Sequence, residues 1–247
     1  GMMGALLRRP LIIHEQNSIA GLSNKSLSYF ATRTLTGFPE VLPNAEWCGN
    51  PVRASIAALP DPKIRYAVRS GVLNVLVLGG SLGAKAINEC LPSALALLPL
   101  AVRPHVLHQT GQQHFAVTQT HYSQAGMNAN IQPFLEDMAQ HYAWADLVIC
   151  RAGALTIAEL AAAGVASILI PFPFAVDDHQ TTNAQFLSGH AAAILLPQSA
   201  LNAQHLADLL QGLTREKTLV MALAAQALSK PDAARRVAEV CSKLAGL

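Results

Sequence analysis

Short apolar runs alternate along the chain with segments in which apolar residues recur at helical spacing. Residues 147–150, for example, contain no polar side chain, as expected for a strand that is covered on both faces. Residues 154–163 are good helix formers and are followed by Gly164, a residue that often ends a helix. The repeated pattern predicts an α/β protein with a Rossmann-like parallel sheet and helices on both faces.

The same pattern predicts where the elements begin and end. Strands are predicted at residues 10–14, 34–38, 46–48, 73–78, 105–109, 131–134, 147–150, 167–171 and 193–196. Helices are predicted at residues 21–30, 51–59, 154–163 and 233–244, with others that end near residues 98, 124 and 143 or begin near residues 179, 202 and 214. Asn50 is expected to cap the helix that follows it, and residues 60–62 are predicted to form a plain loop.

The predicted elements divide the chain into three parts. Residues 1–43 contain a single strand-helix-strand unit, which is too small to cover both faces of a sheet. We therefore expect this segment to be the remnant of an N-terminal domain, and to be mobile, exchanged with a neighbour or packed unusually. Residues 44–230 are predicted to form the Rossmann-like domain, and residues 231–247 a last helix that packs back toward the N-terminal part.

Composition and charge exclude several classes of protein. Apolar residues make up 51% of the chain and charged residues 13%, which is typical of a buried α/β fold. The formal net charge of +2 is small and the basic residues are scattered, so no nucleic-acid partner is expected. Widely spaced cysteines without a CxxC pair indicate reduced thiols and a cytoplasmic location. No apolar run approaches the ~20 residues of a membrane-spanning helix.

The turn after residues 147–150 is the first candidate binding site. The helix is expected to begin near Gly153, so its first amide groups and its dipole would bind phosphate, with Thr156 adding a hydroxyl. Glu159 is the only charge between Arg151 and Asp177, and a carboxylate on so apolar a segment needs hydrogen-bond donors. The two hydroxyls of a ribose would supply them; a backbone amide or a surface lysine is an equal alternative.

A second candidate is the glycine-rich turn at residues 79–84, which joins a predicted strand to a predicted helix. Glycines let the backbone approach an anion closely, and Ser81 would add a hydroxyl. The spacing is not GxGxxG, and the region near Leu100 lacks the acid that would bind an NAD ribose, which argues against a dinucleotide fingerprint. The alternative is a tight turn without a ligand.

Polar residues also follow other predicted strands. Residues 14–17 place four polar side chains in succession where a parallel sheet binds ligands, although an exposed loop would explain them as well. Arg53 is either an ordinary surface arginine or a cation for a diphosphate. These positions are therefore candidates that the sequence pattern alone does not decide.

The most polar cluster lies at residues 171–184. Asp178 is expected to cap a helix that begins at His179, which leaves Gln180 and Asn183 on one helical face to bind hydroxyl groups. One histidine beside two aspartates is too small a ligand set for a metal, so neither a metal nor another cofactor is expected. No Ser-His-Asp or Cys-His set is recognisable, and hydrolase chemistry has no support.

Seven motifs in a fixed order give the chain a resemblance to a known family. They are His14-Glu-Gln-Asn17, Gly21-Leu-Ser-Asn24, Asn50-Pro-Val-Arg53, Gly79-Gly-Ser-Leu-Gly-Ala84, Phe134-Leu-Glu-Asp-Met138, Arg151-Ala-Gly-Ala-Leu-Thr-Ile-Ala-Glu159 and Asp177-Asp-His-Gln180. Together they resemble the MurG family, part of glycosyltransferase family 28. These bacterial enzymes transfer N-acetylglucosamine from UDP-N-acetylglucosamine to a lipid-linked muramyl pentapeptide, which converts lipid I into lipid II for peptidoglycan.

The resemblance implies two Rossmann-like domains that face each other across a cleft, the GT-B arrangement. This chain would contain the donor-binding C-terminal domain and a remnant of the acceptor domain. Gly153, Thr156 and Ser81 would then bind the diphosphate, while Glu159 would bind the ribose hydroxyls. Arg53 would lie near the nucleotide.

The resemblance also implies contacts with the base and the sugar. Phe134 would lie against the uracil, and the backbone of Leu135 would bind the edge of that base. His179 and Gln180 would contact the sugar hydroxyls, and Asn17 would reach the sugar from the other domain.

The implied reaction is an inverting transfer, in which the 4-hydroxyl of the acceptor attacks the anomeric carbon opposite the UDP. Helix-end dipoles and amides, in place of a metal, would stabilise the departing diphosphate. The resemblance further implies a hexosyltransferase that acts peripherally at the cytoplasmic face of the inner membrane. Its roles would be cell-wall synthesis, cell shape and cell division.

The sequence departs from the family pattern near its start. The GGTGGH loop, whose histidine is a candidate general base, and a second glycine loop are both absent. Phe174 stands where the family often has a histidine. We therefore expect a chain that binds the donor weakly, transfers no sugar by itself and lacks most of the membrane-contacting surface.

Three other functions are open at this point. A UDP-N-acetylglucosamine 2-epimerase would need carboxylates for proton transfer at C2, and the motifs hold few beyond Glu15, Glu136, Asp137 and Asp177. An NAD-dependent oxidoreductase is disfavoured by the missing fingerprint. A binding module that senses a UDP-sugar without transferring it is the third alternative.

Overall fold

Two parallel sheets with flanking helices make up residues 1–80 and 83–246, the part of the chain that the computed structural model describes. The strands are β1 (Ile12–Glu15), β2 (Arg33–Thr36), β3 (Glu46–Trp47), β4 (Asn74–Leu78), β5 (His105–Gln109), β6 (Asn130–Gln132), β7 (Leu147–Cys150), β8 (Ala166–Leu169) and β9 (Ala193–Leu195). The helices are α1 (Met2–Leu6), α2 (Leu22–Ser28), α3 (Ala54–Ala57), α4 (Pro62–Ala67), α5 (Lys85–Leu97), α6 (Phe115–Gln124), α7 (Met138–Trp144), α8 (Ala154–Ala163), α9 (His179–Ser188), α10 (Ala203–Gly212), α11 (Arg215–Ala227) and α12 (Ala233–Ala245). The predicted α/β class is confirmed. Within the described ranges, no helix combines the length and hydropathy that crossing a bilayer requires.

The larger sheet has the strand order β6-β5-β4-β7-β8-β9, and its neighbouring strands are all parallel. Alternate residues of its central strands point into two hydrophobic clusters: Leu76 and Val148 belong to one, Val75 and Leu147 to the other. Helices therefore cover both faces. The chain winds outward in one direction from β4 and in the other from β7, so ligands are expected beyond the carboxyl ends of these two strands.

The smaller sheet, β1-β2-β3, comes from the first part of the chain. Leu35 of β2 is fully buried and clusters with Cys48 and with Val240 of α12. Arg236 of α12 also pairs with Glu46 of β3. Helix α12 thus packs against the smaller sheet, while the expected mobility or exchange of residues 1–43 stays a prediction. Large apolar side chains in this part nevertheless stay exposed: Leu6, Leu7, Leu22, Tyr29 and Phe30.

Two local predictions are corrected by the structure. The predicted loop at residues 60–62 instead starts helix α4, because the side chain of Asp61 accepts a hydrogen bond from a first-turn amide and Pro62 occupies the first helical turn. Asn50 does not cap a helix, since α3 begins only at Ala54. The buried Asn50 side chain instead donates to the carbonyl of Gln16 at 2.9 Å and so ties two segments together.

A buried carboxylate secures the edge of the larger sheet opposite the carboxyl ends. Asp146 is fully buried just before β7 and pairs with Arg69 at 2.5 Å and with Arg215 at 3.2 Å. It also accepts a hydrogen bond from the amide of Asn74 at 2.8 Å. The pairing joins the start of β4, the start of α11 and the end of α4.

We expect Asp146→Ala to lower the free energy of unfolding by about 3–5 kcal/mol, because two largely buried guanidinium groups would lose their counter-charge. Urea denaturation measures this change. Asp208→Ala, at an exposed aspartate on α10, is the control and should change stability little. Equal losses for the two variants would contradict the assigned role of Asp146.

A buried histidine fixes α5 and α6 on β5. His108 is fully buried, with Nδ1 3.0 Å from the hydroxyl of Tyr122 and Nε2 3.0 Å from Oδ1 of Asn88. Burial lowers the pKa of His108 to about 3, so the ring is neutral in the folded protein at physiological pH.

This histidine should make the protein sensitive to acid. Because the folded state keeps His108 neutral while the unfolded chain accepts a proton, its stabilising effect is complete above about pH 6.5 and is lost toward about pH 3. We expect its contribution to fall by up to ~1.4 kcal/mol for each pH unit in that window. Denaturant titrations of the unsubstituted protein and of His108→Gln at several pH values would measure the difference. Parallel pH dependences would contradict the prediction.

Candidate functional site

A cleft of about 340 Å³ lies at the carboxyl ends of β4, β5 and β7. Of the residues predicted as a binding site, the following line it: Arg53, Phe134, Leu135, Thr156 and Glu159. Gly153, His179, Gln180 and Asn17 are not part of its lining, and Ser81 lies outside the described residues. The predicted site residues therefore form one group inside the cleft and a second group beside it.

The amino end of α8 opens at this edge of the sheet. Gly153 precedes the helix in an extended conformation, and none of the described side chains caps it. The first amide groups of α8 therefore have no intrahelical partner, and the helix dipole makes this end attractive to an anion. Thr156 lies in the first turn, as predicted. Gly164 ends the helix in the left-handed conformation with φ of 56°.

The glycine-rich turn after β4 lies beside the amino end of α8, because Leu78 and Cys150 are paired at the ends of adjacent strands. Gly83 has φ of 80°, and a Cβ at this position would collide with the carbonyl of Thr110 and the ring of His114. The turn is thus pressed against the end of β5 in a conformation that requires glycine. Gly80, with φ of 73°, instead has open space, among the described residues, where a Cβ would lie.

Glu159 reaches the cleft from the second turn of α8, with its side chain 17% exposed. The hydroxyl of Tyr142 donates to Oε2 at 3.1 Å, and Nε of Arg53 lies 3.8 Å from Oε1. Burial raises the pKa of Glu159, whereas the Tyr142 hydrogen bond and the Arg53 charge act in the opposite direction. Its partners are therefore not the backbone amide or lysine that the sequence suggested as an alternative.

The segment after β6 contributes an exposed ring and a buried side chain. Phe134 is 59% exposed at the rim of the cleft, whereas the side chain of Leu135 is 5% exposed and belongs to the core. Among the described residues, neither the amide nor the carbonyl of Leu135 has a hydrogen-bond partner. These backbone groups are consequently available to a ligand that lies against Phe134.

The second group of predicted residues is organised around the turn that follows β7. Gln180 of α9 accepts hydrogen bonds through Oε1 from the amides of Ala152 and Phe172, at 3.2 and 3.0 Å. Arg151 donates to the carbonyls of residues 170 and 171 and to Gln198, and burial lowers its pKa. Gln180 and Arg151 therefore fix the turn that presents the amino end of α8.

Asn183 connects the two sheets. The sequence suggested that it binds hydroxyl groups of a ligand, but the structure uses its side chain for contacts within the protein. Its side chain is fully buried; Oδ1 accepts from the amide of Ser18 at 2.9 Å, and Nδ2 donates to the carbonyl of Ala152 at 3.2 Å. Nδ2 also donates to Oδ1 of Asn17 at 3.3 Å. Asn17 is thus held at the seam between the loop after β1 and the turn after β7. The carboxylate of Glu15 also accepts a hydrogen bond from the amide of Asn17.

The start of α9 differs from the prediction in one detail. Asp177 and Asp178 both have left-handed backbones, with φ of 52° and 50°. Asp178 does not cap α9 through its side chain; its Oδ1 accepts a hydrogen bond from Thr181 at 2.7 Å. His179 begins the helix and is partly buried. Within residues 1–80 and 83–246, no group of three or more His, Cys, Asp or Glu residues is arranged to hold a metal ion.

Comparisons with known proteins decide the family. The model of the glycosyltransferase family 28 C-terminal domain matches residues 74–237. A protein of Cupriavidus metallidurans named UDP-N-acetylglucosamine--N-acetylmuramyl-(pentapeptide) pyrophosphoryl-undecaprenol N-acetylglucosamine transferase is 57% identical over 100% of this chain and 69% of its own length. A protein of the same name from Polynucleobacter asymbioticus is 56% identical over the same shares. The chain belongs to the MurG family of glycosyltransferases.

Solved structures agree with this membership. The crystal structure of Acinetobacter baumannii MurG matches this chain with a TM-score of 0.89 and 42% identity. The match covers 98% of this chain and 69% of the Acinetobacter chain. Membership in the MurG family confirms the predicted enzyme class, a hexosyltransferase. The UDP-GlcNAc 2-epimerase of Neisseria meningitidis is also similar, with a TM-score of 0.63 over 98% of this chain and 72% of its own. At 10% identity that likeness shows the fold alone.

We expect Asn183→Ala to lower the free energy of unfolding by about 3 kcal/mol, because the Ser18 amide and the Ala152 carbonyl would lose their partner in a buried seam. Thermal and urea denaturation measure the loss. Ser18→Ala is the matched control: it removes one hydroxyl but keeps the backbone contacts of Asn183, and should cost about 1 kcal/mol. A loss no greater than that of the control would show that Asn183 does not hold the seam.

Proposed function

We propose that this chain is the donor-binding part of an inverting N-acetylglucosaminyltransferase. The enzyme moves N-acetylglucosamine from UDP-N-acetylglucosamine to the 4-hydroxyl of a lipid-linked muramyl pentapeptide, and so forms lipid II from lipid I. The observation that carries the proposal is the largely buried carboxylate of Glu159, which lies in one cleft with the open amino end of α8. The relatives' printed names support the donor, the acceptor and the transfer.

The nucleoside fits the inner part of the cleft. The exposed ring of Phe134 offers a face for uracil to stack on, and the unpaired backbone groups of Leu135 can bind the edge of the base. Glu159 accepts the two ribose hydroxyls, which offset its partial desolvation. Arg53, which is 61% exposed beside Glu159, can turn toward the phosphates without losing buried contacts.

The diphosphate fits the amino end of α8. The amides after Gly153, the hydroxyl of Thr156 and the turn at Gly79 and Gly80 surround it, and the helix dipole favours its negative charge. When the acceptor hydroxyl attacks the anomeric carbon, the bond to UDP breaks and negative charge grows on the leaving diphosphate. The same fixed amides and dipole stabilise that charge.

The sugar lies beside the turn after β7. Gln180 is held there by two backbone amides through its oxygen, which directs its amide nitrogen to donate to a sugar hydroxyl. His179 precedes it, and Asn17 approaches from the other side of the seam. These three residues therefore complete the donor site.

For the polypeptide of this sequence, we propose weak donor binding and no transfer activity on its own. The sequence contains no GGTGGH motif, whose histidine is the candidate general base that the family resemblance implies. The proposed acceptor is lipid I, which the enzyme reaches as a peripheral protein at the cytoplasmic face of the inner membrane. Its product serves cell-wall synthesis, and through it cell shape and cell division.

Calorimetric titration with UDP tests the donor site. We expect binding by the unsubstituted protein and at least a roughly tenfold weaker affinity for Glu159→Ala, because two hydroxyl groups lose a charged acceptor. Glu89→Ala is the control, since Glu89 is an exposed glutamate on α5 whose ion pair among the described residues is with Lys85 at 3.8 Å. The absence of binding heat at millimolar UDP, or equal UDP affinities for both variants, would contradict the proposed site.

A transfer assay tests the second half of the proposal. With lipid I and saturating UDP-N-acetylglucosamine, we expect no lipid II from this polypeptide, because it has no candidate for the general base in a GGTGGH motif. The Cupriavidus metallidurans relative, assayed in parallel, is the positive control. Measurable lipid II from this polypeptide alone would refute the proposed dependence on further residues.

A further inference from the structure

The lining of the donor cleft includes a buried tyrosine to which the proposed function gives no role. Tyr142 of α7 is 1% exposed, and its ring belongs to the hydrophobic core. Its hydroxyl nevertheless reaches the edge of the cleft and donates to Oε2 of Glu159 at 3.1 Å. A phenylalanine would fill the same core volume, so packing alone does not explain the hydroxyl.

The two oxygens of Glu159 are held very differently. Oε2 is bound by Tyr142, whose ring is buried in the core, whereas Oε1 lies 3.8 Å from an arginine that is 61% exposed. An exposed ion pair at that distance fixes orientation poorly. The tyrosine is therefore the contact that sets the direction in which the carboxylate points.

Tyr142 is itself anchored at its backbone. Its carbonyl accepts a hydrogen bond from Nη1 of Arg65 at 3.2 Å, and Nη2 of the same guanidinium binds the carbonyls of Ala163 and Gly164 at the end of α8. Helices α7 and α8 are thus joined at two points, by Arg65 at the end of α8 and by the Tyr142 hydroxyl at its second turn. This arrangement holds the hydroxyl and the carboxylate at a fixed separation.

We propose that Tyr142 is a positioning residue, which holds the Glu159 carboxylate in the orientation that binds both hydroxyls of a ribose and so favours ribonucleotides over deoxyribonucleotides. The inference rests on the proposed function of the cleft. Tyr142 does not touch the donor; it acts only through Glu159. A carboxylate fixed at one oxygen meets a rigid pair of hydroxyls without first losing rotational freedom, which strengthens binding.

The ionisable groups around Glu159 define how the contact responds to pH. Tyr142 from α7 and Arg53 from the segment before α3 both favour the charged carboxylate, which burial disfavours. Cys150 of β7 faces Tyr142, and burial raises the pKa of its thiol to about 12, so it stays neutral. Removal of the Tyr142 hydroxyl should therefore raise the pKa of Glu159 further and protonate it at a higher pH.

The test compares the affinities of UDP and 2′-deoxy-UDP for Tyr142→Phe by calorimetry. We expect UDP affinity to fall about tenfold and 2′-deoxy-UDP affinity to fall much less, because only the ribose uses both carboxylate oxygens. The ratio of the two affinities decides the question, since partial unfolding would lower both by one factor. An unchanged ratio would overturn the positioning role.

A matched control is another buried tyrosine whose hydroxyl lies far from the cleft. Tyr66 of α4 is 5% exposed and donates to the carbonyl of Asp146 at 2.9 Å, at the opposite edge of the sheet. Tyr66→Phe should leave both affinities unchanged. Equal effects of the two substitutions on the ratio would overturn the inference, whereas absence of UDP binding by the unsubstituted protein would overturn the proposed function itself.

A pH profile provides the second readout. UDP-N-acetylglucosamine is the probe, because its diphosphate is esterified on both sides and keeps its charge between about pH 5 and about pH 8. We expect its affinity to decline with falling pH, and the decline to begin at a higher pH for Tyr142→Phe than for the unsubstituted protein. Coincident midpoints would mean that the hydroxyl has only a structural role.

Discussion

The parallel pairing of β4 with β7 is the constraint on which the rest of the structure depends. It brings Leu78 and Cys150 side by side, so that a glycine turn and the amino end of a helix leave the sheet at neighbouring points. Neither feature binds a diphosphate well alone, because each offers only a few amides. Their juxtaposition at the point where the chain reverses its winding is the basis of the proposed anion site.

The two ends of α8 show how the protein assigns polar groups either to itself or to a ligand. At the carboxyl end, the buried Arg65 binds the carbonyls of Ala163 and Gly164, and burial lowers the pKa of that guanidinium. Arg65 thus stabilises the negative end of the dipole from within the fold. At the amino end, Gly153 provides no cap, which leaves the positive end to an anion from outside.

Much of this architecture follows from the sequence because it is local. The apolar run at 147–150, the helix formers after Gly153 and the terminating Gly164 predict the strand, the helix and its open end. The prediction at residues 60–62 was wrong because Asp61 and Pro62 are typical both of a loop and of a helix start. Local pattern does not separate these two cases.

Long-range polar contacts were not predictable in the same way. Asn183 lies 165 residues from Ser18, and its polarity suggested a ligand contact when the structure shows a buried seam. Tyr142 and Glu159 are only 17 residues apart, yet they come from different helices, and the sequence pattern indicated no contact between them. Such pairs depend on how helices pack, which the order of polar and apolar residues along the chain does not specify.

The most direct test of the central claim is a crystal structure of this protein with UDP bound. The account predicts the ribose hydroxyls within hydrogen-bond distance of Glu159, uracil against Phe134, and the phosphates at the first amides of α8. A nucleotide bound elsewhere, such as in the groove near Trp144 at the opposite edge of the sheet, would contradict it.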